Sequence, residues 1–196
     1  MISEELYKYV QFRGRTKDDK YLGLYGKASS VSPVENTRFS KAKEQADQNI
    51  MKKVDIDNII QFTKEFFELI GMPDVESLQI NINIDDILKN QNVRIDYNSL
   101  KTDYKLNNVK HLIWMKFTDD NYLGVVAASN DVNFSMSNTA GRILNSLDKK
   151  WNKSFVLVFP LSHISDGLRK DIECGLGNYL SENQVPILDY YSHRFQ

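Results

Sequence analysis

The chain has a single cysteine, Cys174, in 196 residues, so no disulfide can form within it. A lone thiol fits a reducing cytoplasm. Excess charge is missing as well. The net charge is −1, and nothing global draws the chain to nucleic acid or to an anionic membrane. No apolar run approaches the length of a membrane span. The opening Met1-Ile-Ser-Glu-Glu is acidic and lacks an apolar core, so no signal peptide is expected and the expected location is the cytoplasm. Neither Gly-x-Gly-x-x-Gly, nor a P-loop, nor His-x-x-x-His occurs. No metal and no cofactor are therefore expected. No low-complexity linker interrupts the chain. The expectation is one α/β domain over 1–196, or two closely packed lobes over 1–106 and 107–196.

What is present is an ordinary globular composition, 41% hydrophobic and 26% charged. Charge is nevertheless uneven. Residues 1–53 hold eleven Lys/Arg against seven Asp/Glu, and residues 54–110 hold six against ten. Solvated faces explain this simply; a basic contact surface near the N-terminus is the sharper reading.

The last forty residues organise the rest. Phe155-Val-Leu-Val-Phe-Pro-Leu161 is an apolar run of strand type, and a loop with Asp166-Gly167 follows. Leu168 to Glu182 has helical spacing, and Val185-Pro-Ile-Leu-Asp-Tyr-Tyr191 is a second strand. Strand, helix, strand predicts a right-handed βαβ unit with parallel strands. Two of the three histidines, His163 and His193, lie just past those strands, with Asp166 and Asp189 near them in sequence. Ligands of open α/β sheets bind at such carboxyl ends. Adjacent strands would put both imidazoles on one edge, where they and the carboxylates can serve as acid and base. His111, at the start of another strand, reads as structural.

Upstream, two hairpins are predicted. One has strands over 7–15 and 20–27, the other over 110–117 and 122–128. Asp18-Asp19-Lys20-Tyr21-Leu22-Gly23 and Asp119-Asp120-Asn121-Tyr122-Leu123-Gly124 echo each other, and an Ala-Ser pair follows each. The echo fits either chance or an old duplication. Helices are predicted over 40–53, where Phe39, Ala42, Ala46 and Ile50 make a thin face, and over 138–148. The clearest helix carries Ile56, Ile59, Ile60, Thr63, Phe66, Phe67 and Ile70 on one face. Asp55 or Asp57 caps it, and Gly71 ends it. Leu78-Gln-Ile-Asn-Ile-Asn-Ile84 alternates as a strand with one apolar face. The fold class expected is α/β, a mixed sheet with packed helices.

Two further stretches could carry chemistry. The loop from Ser129 to Arg142 leads into a helix, whose N-terminal N–H groups suit phosphate or carboxylate. Ser135, Ser137, Asn138, Thr139 and Arg142 are its candidate contacts; plain N-capping by Ser137 or Asn138 is the simpler role. In Leu168-Arg-Lys-Asp-Ile-Glu173-Cys-Gly175-Leu-Gly177, two glycines each cost roughly 1 kcal/mol inside a helix. Close approach of a neighbour, or room for a ligand, would offset that. Glu173 lies at the border of the buried row Leu168, Ile172, Leu176 and Leu180. There it is either a desolvated base or nucleophile, or a solvated partner of Arg169 or Lys170.

The run Asp166-Gly167, Glu173-x-Gly175-x-Gly177 and Val185-Pro-Ile187 resembles the C-terminal part of nucleoside 2-deoxyribosyltransferase-like proteins. The resemblance implies that Glu173 attacks a sugar carbon and releases a base, that Asp166 contacts the ligand, and that the Ser129–Arg142 loop faces sugar or phosphate. The family's Gly-Thr pair is absent, and Asp166 to Glu173 spans seven residues where the family has six. The functional expectation is a nucleotide- or nucleoside-like ligand at the carboxyl edge of the C-terminal sheet, with cleavage of a glycosidic bond through Glu173. The alternative is a non-catalytic interaction protein that uses the hairpins and the Gln79/Asn81/Asn83 strand face for a protein partner or a second copy. A third reading places nucleic acid against Arg13, Arg15, Lys17 and Lys20, which the neutral total charge disfavours.

Overall fold

The computed structural model describes residues 2–10, 54–81, 94–95, 102–103, 109–129, 132–133, 144, 148–152, 154–162 and 164–190. The predicted first hairpin beyond Val10, the 40–53 helix and nearly all of the 138–148 helix lie outside them.

Two helices come first, α1 (Glu5–Val10) and α2 (Ile56–Leu69). Strands β1 (Leu78–Asn81), β2 (Arg94–Ile95), β3 (Val109–Phe117), β4 (Leu123–Ser129), β5 (Val132–Asn133) and β6 (Phe155–Ser162) follow. Helix α3 (Asp166–Glu182) and strand β7 (Ile187–Tyr190) close the chain. The order β1-β6-β3-β4-β7 makes one five-stranded sheet, and β2 pairs with β5 in a separate two-stranded ribbon. All neighbours in the main sheet are antiparallel except β4 and β7, which are parallel. The fold is thus α/β with a mixed sheet, and among the described residues no helix is long and apolar enough to cross a membrane.

Following those pairings, β6 and β7 run in the same direction, as the sequence predicts. They are not neighbours, so the side-by-side arrangement that the sequence left open does not occur. β6 hydrogen-bonds to β1 on one side and β3 on the other, so no edge remains for β7. The β3–β4 hairpin lies between them. Three strand spacings, roughly 14 Å, separate β6 from β7.

The N-terminal strand predicted from Tyr7 is also corrected, because Glu5 to Val10 are helical. The aromatic alternation Tyr7, Tyr9 suggested a strand. Leu6, Tyr9 and Val10 also have i, i+3, i+4 spacing, and these three turn inward while Tyr7 stays exposed. Ser3 caps the helix by accepting from the Glu5 N–H at 3.2 Å, and its own N–H donates to the Ile70 carbonyl at 2.9 Å. α1 is thereby tied to the end of α2.

α2 follows its sequence signals closely. The Asp55 side chain accepts from Asp57 N–H at 3.0 Å. Gly71 takes φ 81°, which a residue with Cβ adopts at a cost. Met72 N–H then reaches the Phe67 carbonyl and Gly71 N–H the Glu68 carbonyl, the paired bonds of a Schellman ending. Ile59, Phe66, Phe67 and Ile70 are buried in one cluster with Ile113, Met115 and Phe117 of β3, Leu157, Phe159 and Leu161 of β6, and Ile172, Leu176 and Leu180 of α3. The other face of the sheet is buried as well, through Leu112, Val125, Val156 and Val158. Burial on both faces explains why β6 reads as a continuous apolar run and not as an alternating one.

The β3–β4 turn is built on Thr118. Its hydroxyl accepts from Tyr122 N–H at 2.9 Å and donates to Asp120. Lys149 donates to the same carboxylate. Burial alone would raise the Asp120 carboxyl, but the bonds from Lys149 and Thr118 outweigh it and hold it below its ordinary value. A carboxyl lower in the folded than in the unfolded chain adds stability above the unfolded value and loses it as pH falls through the folded one. The melting temperature of Asp120→Asn should therefore trail the native protein near pH 7 and converge with it as pH falls below the ordinary carboxylate range. A gap that persists unchanged into acid would contradict this.

Candidate functional site

α3 begins with Ser165 as cap: its hydroxyl accepts from Leu168 N–H at 3.2 Å, and its carbonyl accepts from Arg169 N–H. Seven residues make nearly two turns, so Asp166 and Glu173 lie on one stripe of the helix with Arg169 between them. Exposure falls steeply along that stripe. The side chains of Asp166 and Arg169 are 76% and 17% exposed, and Glu173 is 2% exposed. The stripe thus leads from solvent into the molecule. At its inner end Glu173 is buried and not solvated.

His111 completes the outer part. It lies near the start of β3, opposite Leu161 of β6, next to a register shift between Val109 and His111. Such irregularities re-aim side chains at sheet rims. The His111 parity on β3 is that of Ile113 and Met115, so its imidazole lies on the α3 side. Its Nε2 is 3.4 Å from Asp166 Oδ1, and its Nδ1 is 3.2 Å from an Arg169 terminal nitrogen. Arg169 and Asp166 are themselves 3.9 Å apart. A guanidinium only donates, so the contact at Nδ1 uses that nitrogen's lone pair. The ring proton is then on Nε2, facing the carboxylate. Asp166 also occupies the first turn of α3, where the helix dipole favours an anion. The three groups make a cluster of donors and acceptors at the carboxyl end of β6.

Of the residues singled out from the sequence, Asp166 and Glu173 both lie on α3. The structure brings Asp166 to His111, which the sequence reading left as a structural strand residue. His111 and Arg169 are the neighbours of Asp166 that the sequence reading did not propose as candidates. Arg169 had a local signal, its i, i+3 spacing from Asp166. His111 had none, because only the pairing of β3 with β6 brings it there. His163, His193, Ser135, Ser137, Asn138, Thr139 and Arg142 lie outside the described residues. Among the described residues, no group of three or more His, Cys, Asp or Glu side chains is placed to hold a metal ion.

Gly175 answers the question of the helical glycines. A Cβ there would come within 3.0 Å of Leu6 Cδ1 and 3.2 Å of Phe66 Cζ. The missing side chain admits α1 and α2 against α3, a helix-to-helix approach. Beyond it, Tyr179 donates to Glu65 at 3.3 Å and stacks edge-on with Tyr9. Burial, then Glu65, pushes the Tyr179 hydroxyl up; burial, then Glu182 and Glu5, does the same for Tyr9. This second cluster joins the three helices and is distant along α3 from Asp166. Comparison of the chain with protein-family models, with curated proteins and with solved structures returned no match.

Proposed function

We propose that the edge formed by the first turn of α3 and the start of β3 binds a nucleotide- or nucleoside-like ligand in the cytoplasm. His111, Asp166 and Arg169 are its described polar contacts. The observation that carries the reading is the imidazole held between a guanidinium and a carboxylate at the carboxyl end of β6, the end where α/β sheets take ligands. A base offers both donors and acceptors, and a sugar or phosphate offers acceptors, so this cluster suits both parts. The stripe from Asp166 inward to Glu173 supports the catalytic extension. One Glu173 carboxylate oxygen would bond to the anomeric carbon. The bond to the base nitrogen would break with its electron pair, and the base would take up a proton. The oxygen of a water would then bond to the anomeric carbon as the ester bond to Glu173 breaks, giving the free sugar, the carboxylate and a proton that balances the one taken up by the base.

A thermal-shift series with adenosine, its monophosphate and the other common nucleosides tests the binding. A ligand at about 100 times its Kd stabilises the folded state by roughly 2.7 kcal/mol. The shift should vanish in His111→Ala and in Arg169→Ala, while their unliganded melting stays cooperative. No shift with any of these compounds would overturn the proposal. Glu173→Gln should retain the shift and lose release of free base, measured by chromatography.

A further inference from the structure

We infer that residues 148–152 form a strap that opens as a unit, that the Asp120–Lys149 pair is its latch, and that the closed strap hides Lys116 between two indoles. This inference is independent of the ligand-binding reading, because it concerns the opposite face of the sheet. Residues 112, 114 and 116 of β3 alternate away from α3. Lys116 is fully buried there, with Nζ 4.2 Å from the centre of the Trp151 ring and 4.8 Å from that of Trp114. An ammonium is drawn to the negative faces of both rings. Trp151 covers it from the strap.

Among the described residues, three backbone bonds hold the strap, one of them from Lys149 N–H to the Leu144 carbonyl at 2.9 Å. Asp119 N–H donates to the Lys150 carbonyl at 3.0 Å, Asn152 N–H donates to the Phe117 carbonyl at 2.8 Å, and Thr118 and Trp151 form an isolated antiparallel bridge. No described strand ladder continues from it. The Lys149 amine spans the gap, bonded to Asp120 and 4.1 Å above the Tyr122 ring. Asp119, Asp148 and Lys150 are the other charged groups on the turn and the strap.

The closed state carries several costs in one place. The buried Trp151 Nε1 makes no hydrogen bond, while Trp114 Nε1 donates to Ser129 at 2.8 Å. Asn121 and Asp148, on either side of the clasp, hold φ values of 68° and 53°. A segment tied to the hairpin by one isolated bridge and a side-chain latch, and carrying an unsatisfied donor, opens locally more readily than the sheet beneath it.

Trp114 and Trp151 are the chain's two tryptophans, so fluorescence excited selectively in tryptophan reads this site alone. Asp120→Asn and Lys149→Gln should raise the acrylamide quenching constant at least about twofold and shift emission to the red, with far-UV dichroism unchanged. Hydrogen exchange in the native protein supplies a second readout. The Asp119 and Asn152 amides should share one exchange rate, faster than that of β3 and β6 amides. That rate should rise about tenfold in Asp120→Asn while the sheet amides do not change. Folded variants with native quenching overturn the inference. So do Asp119 and Asn152 amides that exchange only as fast as the sheet.

Discussion

Phe66→Ala is expected to lower stability by about 3–5 kcal/mol, as truncation of a fully buried aromatic does. Phe66 has no exposed surface, and its ring centre lies 6.1 Å from that of Tyr9, 5.8 Å from Phe67 and 5.5 Å from Tyr179. It therefore joins α1, α2 and α3 at one point. Its edge also rests in the notch left by Gly175, where a Cβ would come within 3.2 Å of Phe66 Cζ. Edge-on aromatic pairs add about 0.5–1.5 kcal/mol each beyond buried area. Net stabilities of domains are about 5–15 kcal/mol, so this one truncation removes a large share. Urea unfolding should show the midpoint fall with an unchanged slope. Tyr7→Ala, at a 49% exposed position on α1, should change stability by less than about 0.5 kcal/mol. A loss under about 1.5 kcal/mol for Phe66→Ala would mean that the three helices do not depend on this contact.

Phe66 was legible in the sequence, and so was the helix that carries it, because every signal there is local. Asp55 at the cap, apolar residues at helical spacing and Gly71 at the end all act within a few residues. The β3–β4 hairpin was legible for the same reason, since Thr118 to Asn121 closes on itself. α1 was not, because six residues hold too little pattern to separate Tyr7/Tyr9 alternation from Leu6/Tyr9/Val10 spacing. Strand order is a different kind of information. Nothing near Phe155 or Ile187 says that a hairpin formed by residues 109–129 will lie between their strands. The candidate site divides along the same line. Asp166, Arg169 and Glu173 share a helical stripe that residue spacing alone reveals. His111 stands 58 residues from Arg169, and only the antiparallel pairing of β3 with β6 brings the two side chains together.

Gly124→Val should be the costliest substitution on the other face of the sheet. A Cβ at Gly124 would lie 2.4 Å from Trp151 Cζ3 and 3.2 Å from the Lys116 carbonyl oxygen. The first contact is far inside any tolerated separation, and the second is backbone of the paired strand β3, which cannot retreat without breaking the ladder. The indole must therefore leave. Overfilling a packed core costs about 1–3 kcal/mol, and a β-branched side chain under a flat ring belongs at the upper end. The clash is specific, and this makes it testable by a cycle. In a Trp151→Leu background the same Gly124→Val change meets a smaller, jointed side chain. It should then cost at least about 1 kcal/mol less, a coupling expected only between residues in contact. Equal costs in both backgrounds would place the damage in β4 itself. A reduced cost with raised acrylamide access to Trp114 would show that the ring over Gly124 is also what shields Lys116, so that packing against the sheet and closure of the strap are the same contact.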